Sequence, residues 1–272
     1  MNWFACIIYG LAMGFVEFIP VSSGAQGQIL QEIFGATKPD PVRDLVVHIF
    51  SLSAFFFVWR NPLETFRQDR RMIQRGTRSN NQMYRGNADS RFVRSAVLPM
   101  LICMVLALYF NGNRGLPSTA ILLLLGGVVL YIPERLLQGN KSARSMSALD
   151  AVLIGVASAL GAIPGLSRIG MGISVSIMRG ADRKHALNWA YLLSVSALIL
   201  MTLGDLFNLI ASPSGIFLCT GFGGYLLMAI FSFAGAYLSV FTMRNVIVHR
   251  GLHAFAYYSW GAALFAFILY LL

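Results

Sequence analysis

Six apolar segments, separated by polar connections, place the strongest constraint on what this 272-residue chain can fold into. In order, they are residues 45–59, 92–110, 119–132, 186–205, 217–243 and 253–272. A helix of about 20 apolar residues crosses the hydrocarbon core of a bilayer, and these segments approach or reach that length. They are continuously apolar rather than alternating, which favours helices over the strands of a membrane barrel. The sequence therefore predicts an all-α polytopic membrane protein with six transmembrane helices.

The charge of the chain lies mainly in the connections between these segments. Only 12% of the residues are charged and 57% are hydrophobic, whereas a soluble domain carries about 25% charged residues. The net charge is +10, and residues 60–94 form the most arginine-rich connection. Basic loops face the cytoplasm and anionic headgroups, so this charge indicates the membrane, and not nucleic acid, as the partner. We expect a single integral membrane domain, 1–272, with a basic cytoplasmic loop at 60–94.

Two pairs of shorter apolar segments complete the pattern. Residues 3–18 and 21–34 form one pair, and residues 150–163 and 167–180 form the other. Each member is short for a full crossing, so each pair predicts a re-entrant hairpin that enters the membrane and turns back. With the basic loops inside, the two hairpins enter from opposite faces. This arrangement predicts an inverted repeat of about 1–135 and 136–272.

Both hairpins turn at a similar polar sequence. Residues 19–24 read Ile-Pro-Val-Ser-Ser-Gly, and residues 163–167 read Ile-Pro-Gly-Leu-Ser. Polar, helix-breaking sequence is costly inside a bilayer unless it lines a cavity within the protein. One such break in each half predicts a binding site where the two repeats meet.

Arg168, directly after the second turn, is the side chain best suited to bind an anion in that site. Its planar guanidinium matches a phosphate or a carboxylate. The hydroxyls of Ser22, Ser23 and Ser167, with backbone N–H groups at the helix starts, would add donors. Glu17 leaves three alternatives open: a ligand for a divalent metal, a general base toward water, or an ion-pair partner for Arg168.

Two further ionisable residues lie within apolar segments, where such residues are often functional. His48 is either a structural histidine bonded to a nearby carbonyl or a member of the site. Asp205, near the end of its segment, is explained as easily by a helix-end contact as by catalysis. An anion site in a membrane fits a lipid phosphate or a transported anion, and spacing alone does not choose between them.

At these positions the chain resembles the undecaprenyl-pyrophosphate phosphatase family, the bacitracin-resistance type of membrane phosphatase. Residues 17–23, Glu-Phe-Ile-Pro-Val-Ser-Ser, and residues 164–168, Pro-Gly-Leu-Ser-Arg, are similar to the two signatures of that family. The resemblance implies an inverted-repeat helical protein that removes the terminal phosphate of a C55 polyprenyl diphosphate at the outer leaflet. We therefore expect an inner-membrane protein whose site opens to the outer face.

The resemblance also implies roles for individual residues. Arg168 would grip the diphosphate and Ser23 would contact phosphoryl oxygens. Glu17 would hold a divalent cation, Mg²⁺ or Ca²⁺, or activate the attacking group. Further phosphate contacts are expected from Ser22, Gln26, His48 and Ser167.

Four positions depart from the family pattern. Where the family has a glutamate, a histidine and two hydroxyl residues, this chain has Met13, Gln26, Ile169 and Gly172. An amide cannot carry a proton, and a thioether does not bind a hard cation. Loss of a general acid or base typically costs about 10²–10⁴-fold in rate, so slow hydrolysis can persist. The alternative function is a relative that flips or binds polyprenyl phosphate without hydrolysing it, and a homodimer is left open.

Overall fold

The chain is almost entirely helical over the residues that this computed structural model describes, which are 1–38, 40–59, 82–110, 115–136, 139–211 and 218–272. They form ten α-helices and no named strand. The helices are α1 Trp3–Val16, α2 Ser23–Ile33, α3 Pro41–Val58, α4 Gln82–Phe110, α5 Leu116–Tyr131, α6 Ala148–Leu160, α7 Arg168–Met178, α8 Arg183–Ala211, α9 Phe222–Arg250 and α10 His253–Leu271. The all-α prediction is confirmed.

Five of the described helices are long and apolar enough to cross a membrane. These candidate spans are Pro41–Val58, Leu116–Arg135, Arg183–Ala211, Phe222–Ile247 and His253–Leu271. The sixth predicted span, 92–110, forms the second part of α4, and its apolar stretch Phe92–Ala107 belongs with the shorter helices. The structure therefore supports a polytopic membrane protein with five such helices. The inverted repeat and its bounds stay predictions, and most of the predicted basic loop, 60–81, lies outside the described residues.

The helices of both short pairs break where the sequence predicts. In the first pair α1 ends at Val16 and α2 begins at Ser23, and in the second α6 ends at Leu160 and α7 begins at Arg168. The proline of each turn lacks an N–H donor and restricts the residue before it, so neither helix can continue through the turn. Each pair therefore presents a helix N-terminus at its turn.

The helices pack reciprocally between the two halves of the chain. The first helix of each half, α1 or α6, packs against the fourth helix of the other half, α9 or α4. Close backbone contact makes glycine necessary at both interfaces: a Cβ on Gly14 would lie 2.1 Å from the carbonyl oxygen of Ser232, and one on Gly155 would lie 2.2 Å from that of Ala96. Small residues allow membrane helices to approach in this way. These contacts hold each short helix against a long one.

An aromatic cluster packs against the first turn at Phe18. The rings of Phe18 and Phe55 stack with centroids 5.1 Å apart, and Trp59 packs edge-on against Phe55 at 4.6 Å. Tyr191 of α8 donates a hydrogen bond from its hydroxyl to the carbonyl oxygen of Phe18 at 3.3 Å. Such paired rings bury large apolar surfaces in defined orientations. The turn that follows Glu17 is thereby attached to both α3 and α8.

A bidentate ion pair joins the ends of several helices. Arg183, the first residue of α8, donates to both carboxylate oxygens of Glu134 at 3.0 and 2.9 Å. Glu134 also accepts the backbone N–H of Leu252, just before α10, at 2.8 Å. A fork-shaped guanidinium and a carboxylate match in this geometry. One carboxylate thus links the ends of α5, α8 and α10.

Candidate functional site

The two polar turns, far apart in sequence, touch each other. The hydroxyl oxygen of Ser22, the N-cap of α2, accepts hydrogen bonds from the backbone N–H of Ala25 at 3.3 Å and of Gly165 at 2.8 Å. Gly165 has φ +105°, a conformation that favours glycine. A Cβ on Gly24 would lie 3.3 Å from the Cα of Pro164. The predicted meeting of the two turns is therefore what the structure contains.

Arg168 lies at the centre of this contact, with 5% of its surface exposed. Its Nη2 atom donates to the Glu17 carboxylate and to the Ser23 hydroxyl, the latter at 3.4 Å, and its Nη1 atom lies 3.2 Å from the Met201 sulfur. The ion pair with Glu17, one of the alternatives considered from the sequence, is thus formed. These contacts leave two of the five guanidinium N–H donors for a ligand.

Two helix N-termini converge on the same place. Ser22 caps α2, and Ser167 caps α7 by accepting the backbone N–H of Gly170 at 3.0 Å. Both hydroxyl oxygens act as acceptors in these caps, which leaves each hydroxyl proton to be donated. Unpaired backbone N–H groups and the positive ends of the helix dipoles make such starts suited to anions.

Gln26 adds an unpaired donor from the next turn of α2. Its side-chain oxygen accepts a hydrogen bond from the Tyr258 hydroxyl at 3.1 Å, while its Nε2 atom is buried without a hydrogen-bond partner. Leaving a buried donor unsatisfied is costly, so this amide is well placed to receive an acceptor from a ligand. Sequence reasoning missed Tyr258, because α10 reaches α2 only through tertiary packing.

His48 and Asp205 form a pair of their own. The Nδ1 atom of His48 on α3 lies 2.7 Å from a carboxylate oxygen of Asp205 on α8. His48 therefore bonds a carboxylate, and not the backbone carbonyl considered from the sequence. This bond does not reach the two turns, so among the described residues it does not join His48 to the Arg168 cluster, which is Glu17, Ser23 and Arg168. Asp205 is the partner that the sequence did not single out for His48.

Known proteins resemble this chain along most of its length. A sequence profile described as bacitracin resistance protein BacA matches residues 6–265. The chain belongs to the BacA family. Proteins named undecaprenyl-diphosphatase resemble it throughout: one from Carboxydothermus hydrogenoformans is 28% identical over 96% of this chain and 94% of its own length. Another, from Nocardioides sp., is 29% identical over 95% and 93%, and one from Desulforudis audaxviator is 31% identical over 71% and 72%.

The positions that depart from the BacA pattern are packed into the protein. Met13 places its terminal methyl 3.2 Å from where a Cβ on Gly27 would lie, so it contacts α2 beside Gln26. Ile169 is 2% exposed and belongs to the main hydrophobic core. A Cβ on Gly172 would lie 2.6 Å from the hydroxyl oxygen of Ser158. A buried hydroxyl from α6 therefore fills the space that a larger residue at 172 would need.

The donor set of the site fits a resident metal ion poorly. Among the described residues no group of three or more His, Cys, Asp or Glu side chains is placed to hold a metal. Glu17 is engaged by Arg168, and Met13 supplies no oxygen. Mg²⁺ and Ca²⁺ are bound by oxygen ligands, so one committed carboxylate is not a metal cage. A divalent cation and the metal-binding role of Glu17 stay predictions.

Proposed function

We propose that this protein is an undecaprenyl-diphosphate phosphatase, which hydrolyses the terminal phosphate from a polyprenyl diphosphate within the membrane. The observation that carries this function is the buried guanidinium of Arg168, which contacts Glu17 and Ser23 where two helix N-termini meet. The names of the BacA relatives support the same substrate. Recycling of a lipid carrier for cell-envelope synthesis, and with it resistance to bacitracin, follows from that activity.

Binding of the diphosphate is assigned to groups with free donors. Two N–H donors of Arg168 and the unpaired Nε2 of Gln26 contact its oxygens. The hydroxyls of Ser22, Ser23 and Ser167, together with the backbone N–H groups at the two helix starts, contribute weaker bonds. Phosphoryl transfer depends mainly on positioning and on neutralising the charge of the oxygens, and these donors supply both.

Glu17 orients Arg168 in the free enzyme. Both side chains are buried, at 3% and 5% exposure, so each would carry an uncompensated charge without the other. The pair holds the guanidinium beside Ser23 and turns its remaining N–H groups toward an arriving phosphate. No step of the reaction is assigned to a metal ion, because the described residues offer no cluster of ligands for one.

We also infer the placement of the protein in the cell from its charge. Basic connections between the apolar segments support insertion in the inner membrane with these connections inside, and we place the opening of the site at the outer face. A flippase or a lipid-phosphate binding protein of the same fold was the alternative considered from the sequence. The relatives are named for a phosphatase, and no contact among the described residues favours transport.

Phosphate release from C55 polyprenyl diphosphate by the purified protein in detergent micelles tests the activity. We expect release by the wild type and a loss of about 10²–10³-fold in Arg168→Ala, since a preorganised donor to the phosphate is removed. Arg179→Ala is the matched control, because Arg179 ends the same helix but pairs with Asp150. Parallel assays with Mg²⁺, Ca²⁺ or a chelator test the predicted cation. Release no faster than in Arg168→Ala, from protein that binds the lipid, would exclude the enzyme.

A further inference from the structure

The His48–Asp205 pair has the geometry of an imidazole held by a carboxylate. The two atoms are 2.7 Å apart, and the pair joins α3 to α8 across the interior of the bundle. With Nδ1–H donating to the carboxylate, the lone pair of the ring lies on Nε2. No described residue forms a hydrogen bond with that nitrogen, and the nitrogen is not completely buried. The ring is therefore set to exchange a proton through Nε2.

The two helices that carry the pair, α3 and α8, also contribute side chains beside the two turns. Met201, whose sulfur contacts Arg168, and Asp205 are four residues apart on α8, about 6 Å along the helix axis and on the same face. On α3, Val47 packs in one cluster with Val16 and Ile19, which flank Glu17. Both helices that carry the pair therefore also contribute a side chain beside Arg168 or Glu17.

The cluster itself lacks a group that can carry a proton. Gln26 is an amide, and the carboxylate of Glu17 is committed to Arg168. The hydroxyls of Ser22 and Ser167 accept backbone N–H groups as helix caps, and that of Ser23 accepts from Arg168. Water must lose a proton when it attacks a phosphate. A nearby imidazole with a free ring nitrogen is suited to accept it, since histidine is the side chain that most often acts as a general base.

We propose that His48 is the general base of the phosphatase reaction and that Asp205 is its positioning residue, an inference that depends on the proposed function. The oxygen of a water molecule forms a bond to the terminal phosphorus while its proton passes to Nε2 of His48. The bond from that phosphorus to the bridging oxygen breaks, and its electron pair stays on the polyprenyl monophosphate. Asp205 stabilises the imidazolium, which then returns the proton to solvent.

Few other charges face His48. Asp205 comes from α8, and the nearest charges at the end of α1 belong to Glu17, which is paired with Arg168. On α9, residues 222–243 carry no charged side chain, and Tyr225 donates its hydroxyl to Asp40. One turn earlier on α3, Asp44 pairs with Arg43. A change in the pH profile on substitution of Asp205 therefore reports on this pair.

Steady-state phosphate release measured across pH 5–9 tests the assignment. For His48→Gln we expect kcat to fall about 10²–10⁴-fold with little change in KM, and the acidic limb of the kcat profile to disappear. For Asp205→Asn we expect a smaller loss and an acidic limb shifted to lower pH, because a neutral partner no longer stabilises the imidazolium. His249→Gln, at an exposed histidine bonded to the Asn245 carbonyl, is the matched control.

Binding of a methylene-bridged polyprenyl diphosphonate, which cannot be hydrolysed, separates chemistry from folding. His48→Gln should bind it as the wild type does. A variant that keeps the acidic limb and most of kcat would overturn the assignment and leave the phosphatase function intact. A rise in KM with unchanged kcat would equally overturn it, since His48 would then only contact phosphate. Absence of release by the wild type would instead overturn the proposed function.

Discussion

Ser22 and Gly165 are joined by a hydrogen bond of 2.8 Å, although 143 positions of sequence separate them. The Ser22 hydroxyl oxygen also caps α2, so one atom both starts a helix and ties the first turn to the second. Arg168 follows Gly165 by three residues and contacts Glu17 and Ser23 in the first turn. The candidate site is formed where this hydrogen bond holds the two turns together.

Ser22→Ala should therefore loosen the site. The substitution removes the acceptor of two backbone N–H groups, and leaving a buried donor unpaired costs about 1–3 kcal/mol. We expect a lower thermal unfolding temperature and slower phosphate release than in the wild type. Ser53→Ala is the control, because the Ser53 hydroxyl is exposed and bonds only within α3, to the carbonyl of Ile49. Equal stability of the two variants would argue against a cross-turn role.

Restoring the residues of the family pattern at positions 13 and 26 is expected to raise turnover. Met13 contacts α2 beside Gln26, so Met13→Glu places a carboxylate near the residue changed by Gln26→His. If the pocket has the family geometry, an added acid or base should speed release by about tenfold or more, within the range such groups contribute. Phosphate release by the double variant measures this, with each single variant for comparison. Unchanged turnover in folded protein would mean that the pocket has been remodelled.

Gly172 and Ser158 should behave as a coupled pair. Gly172→Thr pushes a Cβ to 2.6 Å from the Ser158 hydroxyl oxygen, and overpacking of this kind costs about 1–3 kcal/mol. Ser158→Ala should be nearly neutral alone, because that hydroxyl is buried without a partner, and it should relieve part of the cost of Gly172→Thr. Unfolding of the four proteins of a double-mutant cycle gives the coupling. Additive effects would contradict the contact.

Asp40 should stabilise the protein in a pH-dependent manner. Burial raises the pKa of this carboxyl, but hydrogen bonds from the Tyr225 hydroxyl and from Cys219 and Arg43 lower it by more, so the net pKa is lower than usual. A depressed pKa means that the ionised form stabilises the fold above the unfolded pKa of about 4, and that this contribution is lost as pH falls through the folded value.

Unfolding temperatures of the wild type and Asp40→Asn, measured from pH 7 to pH 3, test this expectation. The difference in unfolding temperature between the two proteins should be constant near neutral pH. It should become smaller below about pH 4, where the wild-type carboxyl takes up a proton. Asp44→Asn is a matched control on the next turn of α3, since Asp44 is partly exposed and pairs only with Arg43. A difference in unfolding temperature that stays the same at acidic pH would show that Asp40 contributes through packing alone.

Local sequence was sufficient to locate the breaks and their chemistry. The proline turns, the serine caps and the rare cation of Arg168 lie within a few residues of each other, so they could be recognised without a fold. The pairing of Arg168 with Glu17 was one of several alternatives, and the structure contains it. The contacts of Gln26 with Tyr258 and of His48 with Asp205 span 232 and 157 positions and carry no local pattern.

The sequence by itself determined that the chain is a helical membrane protein with two polar breaks, because bilayer thickness and the cost of exposed polar groups act on short stretches of residues. Only the tertiary structure decided which groups face each other at those breaks. Glycine contacts between α1 and α9, and between α6 and α4, hold the short helix before each break against a long helix of the other half. Such interhelical packing depends on residues far apart in the chain, and no periodicity within one segment records it.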